Sequence, residues 1–337
     1  MAVAYAICAF RNLAFLIVAA GVQVLFIIGL HAFFPSVPPP LSLDRAALQA
    51  LRARLTLDGV GCVDAMVLSY TFFSIFIRTA GRRYFRTHTE LKLAERIHRS
   101  LVPPVRVTVS RLSFYGESFP SGQVGGDLVD FVQSPDGWIA LVFDVSGHGV
   151  ASGVLTAMVK SAARMRLRAR MDVSSLLVEL NETLVPIIEP NMFVTGVCLG
   201  GTPNGTITLA AAGHPPALHY RRATGEVLEH NASNLALGIR ASQTYPAMTL
   251  RLDPGDVLVL LTDGVLDVFD DDDREFGMAG IAGVLRANEG EPPETLAARI
   301  RGAALAHGSQ MDDQTLLVIG AASAPGGPSA QASPEPS

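Results

Sequence analysis

Apolar residues follow several patterns along this chain, and each predicts a different kind of element. Between Arg11 and Asp44 no Asp, Glu, Lys or Arg occurs, and Leu13 to Phe34 is almost continuously apolar. That is enough for a membrane-spanning helix, which takes about 20 residues. A cleaved signal peptide fits less well, because its apolar region runs only about 7–15 residues and no clear cleavage site follows. A second apolar stretch, Gly59 to Ile77, contains Asp64. Its Val, Leu, Ile and Phe residues, at about −0.3 to −0.6 kcal/mol each, outweigh one Asp at about +2.5 to +3.5 kcal/mol, so a second span is predicted. The basic run Arg78, Arg82, Arg83, Arg86 and Lys92 puts the following flank on the cytoplasmic side. The expectation is a transmembrane helical hairpin over residues 1–80 in the inner (plasma) membrane. Its outer loop would run from Pro35 to Asp58, and the remainder of the chain would be cytoplasmic.

Thr87 to Leu101 reads as a linker helix within residues 81–103. Thr87 and Glu90 have capping-box spacing, Leu91, Ala94, Ile97 and Leu101 share a face, and Pro103-Pro104 ends it. This face is expected to lie on the following domain or to pair two copies of the chain as a homodimer. Strand-like runs then alternate with helical ones. Val105–Leu112, Trp138–Phe143, Phe193–Leu199, Ile207–Ala212, Ala217–Tyr220, Met248–Leu252, Val257–Leu261 and Thr315–Ile319 read as strands. Gly149–Arg168, Ser174–Ile188, Gly277–Ala287 and Pro293–His307 read as helices. Turn residues such as Gly201 to Gly205 join strand pairs directly, which favours antiparallel pairing. Residues 104–320 are thus one α+β domain, and Ala321 to Ser337, rich in Ala, Ser, Pro and Gly, is expected to be a disordered tail.

Composition changes the picture in two places. A net charge of −5 offers nothing for nucleic-acid binding, and 49% hydrophobic content agrees with a membrane anchor. Cys8, Cys62 and Cys198 stand far apart and match neither a disulfide framework nor a zinc motif.

The candidate chemistry lies in short aspartate clusters: Gly125-Gly126-Asp127, Asp144-Val145-Ser146-Gly147-His148-Gly149, Thr262-Asp263-Gly264 and Asp312-Asp313-Gln314-Thr315. Each puts a carboxylate at a predicted strand end or tight turn. Hard oxygen donors contributed from several turns are what Mg²⁺ or Mn²⁺ requires. A single Asp-Gly is ordinary turn chemistry; the ordered set carries more.

That set, with Gly213-His214-Pro215-Pro216, Asn181, Phe193-Val194-Thr195, Leu237-Gly238, Pro254-Gly255-Asp256 and Phe276-Gly277, resembles the PPM/PP2C-type serine/threonine phosphatases of the bacterial SpoIIE/RsbU group. The likeness covers roughly residues 104–320. It implies a four-layer α-β-β-α sandwich and two Mn²⁺ or Mg²⁺ ions. It further implies Asp127, Asp144 (bridging), the Val145 carbonyl, Asp263 and Asp312 as metal ligands. The nucleophile would be a water activated by both ions, so no catalytic side chain is required. Asp130 is expected to play a supporting role, and Asp313 is not expected to ligate directly. The implied substrate is a phosphorylated STAS-type regulatory protein of a sigma-factor partner-switching pathway.

Ser146 stands where eukaryotic-type relatives carry Gly-His with its proposed general acid, so His148 reads as structural. His214 reads as a turn residue, and Asp270 to Asp273 as a solvated loop. No G-x-S-x-G and no P-loop occur. The rival from another class is a non-catalytic pseudophosphatase that binds a partner at the membrane.

Overall fold

The runs Trp138–Phe143 and Val257–Leu261 are apolar at every position rather than at alternate ones, so both faces of the sheets that hold them must be covered there. The structure is a computed structural model and describes residues 45–76, 82–147, 149–168, 172–202, 206–232 and 234–322. The chain divides into two compact units, Met1–Thr89 and Glu90–Ser337.

In the first unit the described element is helix α1 (Arg45–Phe76). The expected first span, Leu13 to Phe34, lies outside the described residues. The expected second span does not stand alone. It is the later part of α1, and the stretch from Arg45 to Asp58, read as outer loop, is helical as well. Among the described residues no helix is long and apolar enough to cross a membrane.

Helix α2 (Arg82–Leu101) begins five residues before Thr87, so Thr87 is interior and not a cap. Within the second unit its covered side is Leu91, Ala94, His98 and Leu101, while Leu93 and Ile97 are exposed. Ile97 is therefore not on the docked face, and the polar His98 is.

Strands β1 (Val105–Val109), β2 (Leu112–Phe119), β3 (Leu128–Ser134) and β4 (Gly137–Val145) lead to helices α3 (Val150–Arg166) and α4 (Val173–Leu184). Then come β5 (Val194–Gly201), β6 (Ile207–Ala212), β7 (Ala217–Arg221), β8 (Glu226–His230), β9 (Met248–Leu250) and β10 (Val257–Leu261). A short helix α5 (Asp263–Leu266), helices α6 (Gly277–Ala287) and α7 (Pro293–His307), and strand β11 (Gln314–Ala321) complete the unit. One sheet has the order β1-β2-β11-β10-β7-β8 and the other β3-β4-β5-β6-β9, every pair antiparallel.

The layering follows from which residues each strand face buries. Leu258 and Leu260 of β10, with Leu317 and Ile319 of β11, join the core between the sheets. Their neighbours Val257, Val259, Leu261, Leu316 and Val318 face Ile281, Leu285, Leu296 and Ile300 of α6 and α7. On the other sheet, Val159 and Ala163 of α3 and Leu176, Leu177, Leu180 and Leu184 of α4 close the outer face. The result is the expected α-β-β-α sandwich.

Three strand expectations shift. Val105–Leu112 is not one strand but the start of a hairpin, turned at Ser110, whose φ of 53° is left-handed. Strands β3 and β8 were not foreseen, since Asp130 and the Glu226–His230 pattern hide them. Ala321 belongs to β11 and is buried; the expected tail from residue 323 lies outside the described residues.

Antiparallel pairing then fixes where the aspartates go. Leu128 opposes Phe143, so the residues just before β3 and at the end of β4 share one end of their sheet. Leu261 opposes Leu316, so the end of β10 and the start of β11 share one end of the other.

Candidate metal centre

Two glycines let these four strand ends come together. A Cβ on Gly126 would sit 2.6 Å from the Val145 carbonyl oxygen, and one on Gly264 would collide with the Asp313 carbonyl. Only a residue without a side chain lets the segment carrying Asp127 pass the end of β4, and α5 pass the Asp312-Asp313 turn.

Asp313 ties the two sheets. Its Oδ1 accepts from Ser121 N (2.7 Å) and Ser121 Oγ (3.0 Å), and its Oδ2 accepts from Gly126 N (2.6 Å). Both oxygens are committed to the loop that presents Asp127. Thr262 crosses in the other direction: its hydroxyl donates to Asp127 Oδ2 at 2.8 Å and accepts from Thr315 N at 3.0 Å. Sequence reasoning missed Thr262, because nothing in its spacing separates it from any strand-end threonine.

Asp127 is buried, and its pKa is raised well above the usual carboxylate value by burial and then by the Asp144 charge. Asp144, half-buried, is pushed up to about 7 by burial and then by the charges of Asp263 and Asp312, and it shares a hydrogen bond with Asp127. Asp263, in the first turn of α5, has its pKa raised by partial desolvation, then by the charges of Asp267 and Asp312. The causes run from one predicted ligand to the next, so Asp127, Asp144, Asp263 and Asp312 are brought into one electrostatic neighbourhood from four chain segments. Among the described residues, the charges that weigh most on the three perturbed carboxylates are those of other aspartates. Val145, the fifth predicted ligand, ends β4 with its carbonyl against Gly126.

Among the described residues no group of three or more His, Cys, Asp or Glu side chains closes around one point that could hold an ion. The fit is one of chemistry: carboxylates that, among the described residues, act chiefly on one another, the donor set that hard divalent ions favour.

The remaining candidates separate cleanly. Asp130 accepts from Arg164 Nε (2.7 Å) and Nη2 (2.5 Å), with Lys160 Nζ at 3.3 Å, so it pins α3 to β3 as a buried ion pair. Asp270 and Asp272 pair with Arg274 in a solvated turn, as expected. His148 lies outside the described residues. His214 does follow the turn after β6 but is buried, with Nδ1 3.1 Å from Thr195 Oγ1, so it is more than a turn residue. Cys198 is buried in β5 and its thiol pKa is pushed up by burial, an inert packing position.

Comparison with known proteins agrees with this geometry. The family described as Stage II sporulation protein E (SpoIIE) matches residues 134–321. The chain is 26% identical over 237 residues to "Phosphoserine phosphatase RsbU" of Bacillus subtilis (strain 168), covering 68% of this chain and 71% of that protein. Among solved structures, the SiaA-PP2C domain of Pseudomonas aeruginosa superposes with a TM-score of 0.61 at 21% identity, over 71% of this chain and 98% of that one. The RsbU and RsbW domains of Rv1364c from Mycobacterium tuberculosis give a TM-score of 0.57 at 22% identity, over 66% and 64%. At those identities the two structures speak for the fold. With the family match spanning more than half of its residues, the chain belongs to the SpoIIE family, the PPM/PP2C-type serine/threonine phosphatases of the SpoIIE/RsbU group.

Proposed function

We propose that the domain hydrolyses phosphoserine or phosphothreonine on a regulatory protein, at a divalent-cation site made by Asp127, Asp144, Asp263, Asp312 and the Val145 carbonyl. The observation that carries this reading is the carboxylate cluster, whose members raise one another's pKa, the charges that weigh most among the described residues being those of other aspartates. Two Mg²⁺ or Mn²⁺ ions bound there would neutralise that charge, lower the pKa of a water and stabilise charge developing on phosphorus. The chain's own contribution is orientation. Thr262 fixes one oxygen of Asp127 by donating to it. Asp313 holds the Gly126 backbone, and through it the position of Asp127. The Asp312 carboxylate accepts from Asp313 N at 2.7 Å, which holds it at the mouth of the turn.

The partner assignment rests on relatives: one is named a phosphoserine phosphatase, and another carries an RsbU domain with an RsbW domain. A phosphorylated STAS-type protein of a partner-switching pathway fits that company. Membrane anchorage rests on the apolar stretch Leu13 to Phe34 and on Leu55, Met66 and Phe72, exposed on α1. A reporter fused after residue 86 that is active only outside the cytoplasm would reverse the topology. Pairing of two copies through α2 has Leu93 and Ile97 in its favour, exposed one turn apart.

The non-catalytic alternative has one observation on its side, the lack of a closed three-ligand group among the described residues. Mn²⁺-stimulated hydrolysis of a phosphopeptide by the purified protein decides between them. Tight phosphoprotein binding without turnover would establish the binding module.

A further inference from the structure

The β4–β5 register puts Thr195 directly opposite Asp144. Directly opposed residues of an antiparallel pair stand on the same face of the sheet, with Cβ atoms about 4.5–5.5 Å apart. Thr195 is half-buried and is the β5 residue paired with the carboxylate assigned to bridge the ions.

Behind Thr195 lies His214. Strand β6 ends at Ala212, paired with Gly196, and Gly213 then turns the chain with φ of 62°. A Cβ on Gly213 would meet Ala236 N at 2.9 Å, so the turn is built for glycine. It returns His214 against β5, buried, with Nδ1 3.1 Å from Thr195 Oγ1. The imidazole is neutral: burial pushes its pKa down to about 3, opposed by the backbone of Leu261. Leu261 ends the strand that leads into Thr262 and Asp263, so the ring lies between the threonine opposite Asp144 and the strand that delivers Asp263. Its Nε2 makes no hydrogen bond within normal geometry. A buried imidazole with few partners costs stability, so its hydrogen bond to Thr195 calls for an explanation.

We propose that Thr195 and His214 form a positioning pair for Asp144, in which the imidazole fixes the Thr195 hydroxyl rotor and the fixed threonine limits the rotation of the Asp144 carboxylate. This rests on the cation-site reading above. The pair touches neither substrate nor reacting atoms, and acts through the carboxylate by narrowing the orientations in which its oxygens face the ion site. Outer-shell partners of this kind typically change metal affinity or activity by about 10–100-fold when lost.

The test is Mn²⁺ binding by calorimetry on the full chain, comparing wild type with Thr195→Val, Thr195→Ser and His214→Gln. Thermal unfolding without added cation reports folding separately. Thr195→Val is expected to weaken Mn²⁺ binding about tenfold or more with an unchanged cation-free unfolding midpoint, while Thr195→Ser, which keeps the hydroxyl, stays within about twofold of wild type. If His214→Gln misfolds, the Val and Ser variants decide alone. Thr195→Val binding as tightly as wild type, or Thr195→Ser losing as much as Thr195→Val, overturns the pair. Wild type that binds no Mn²⁺ overturns the cation site itself, a separate failure.

Discussion

Asp270, Asp272 and Asp273 crowd one turn, and Arg274 reaches back to Asp270 at 2.9 Å and Asp272 at 2.7 Å. Asp270 also accepts from the backbone N–H groups of Asp272 and Arg274, and its pKa is lowered, first by the Arg274 backbone. At the other acidic region Asp127, Asp144 and Asp263 are raised instead, and their charged neighbours are further aspartates. The first region has resolved its repulsion with its own arginine and with water. The second has left its charge uncompensated and partly buried. Acid density in the sequence is greater at the first, so density alone points to the wrong place. Burial among like charges is the feature on which the proposed site rests.

The strongest way to break this contrast is to remove a carboxylate from the uncompensated cluster. Asp144→Asn or Asp263→Asn is expected to lower Mn²⁺-dependent phosphopeptide turnover at least about 100-fold, more than outer-shell losses give, with folding retained by circular dichroism. Wild-type turnover in both variants would end the cation-site assignment.

Next comes the link between charge and stability. The folded pKa of Asp144, about 7, lies above its ordinary 3.8, so without cations the folded state holds the proton more tightly. This group's contribution is full below pH about 4 and is lost as pH rises towards 7. The cation-free protein is expected to lose stability over that window relative to Asp144→Asn. Saturating Mg²⁺ or Mn²⁺ is expected to restore it at pH 7, by about 2.7 kcal/mol at a hundredfold excess over Kd. Parallel pH profiles for wild type and variant would show that the carboxylates do not repel as described.

Smaller effects sharpen the comparison. Thr262→Val removes the hydroxyl donor to Asp127 and is expected to cost about 10–100-fold in cation affinity or turnover, with the substrate KM little changed. Asp130→Asn leaves Lys160 and Arg164 without their buried partner. The expected cost is about 1–3 kcal/mol in denaturant unfolding, with turnover per folded molecule retained. Arg274→Ala, in the compensated turn, is expected to change turnover by less than about twofold. A large loss of activity there would make the turn part of the site.

Much of this was legible in the sequence because the signals were local. Helices α6 and α7 fall where apolar period and the opening Pro293 put them, and β10 is an unbroken apolar run. Long-range structure left weaker traces. Strand β3 carries Asp130, which reads as polar until Arg164 and Lys160, 34 and 30 residues on, are seen to neutralise it. In α2 the docked residue is His98 rather than Ile97, since periodicity ranks residues by hydropathy and the neighbouring Gly125 loop is unseen.

The candidate carboxylates, the alternation of strands and helices between residues 105 and 320, and the glycines flanking the acidic turns can all be read along the chain. Those are properties of residue type and short spacing. It takes the folded chain to show that Asp313 spends both oxygens on Ser121 and Gly126, that Thr262 donates to Asp127, and that Thr195 stands opposite Asp144 with His214 behind it. Each of those joins residues from 19 to 192 positions apart, and strand register across two sheets, which no local pattern encodes, sets the distances.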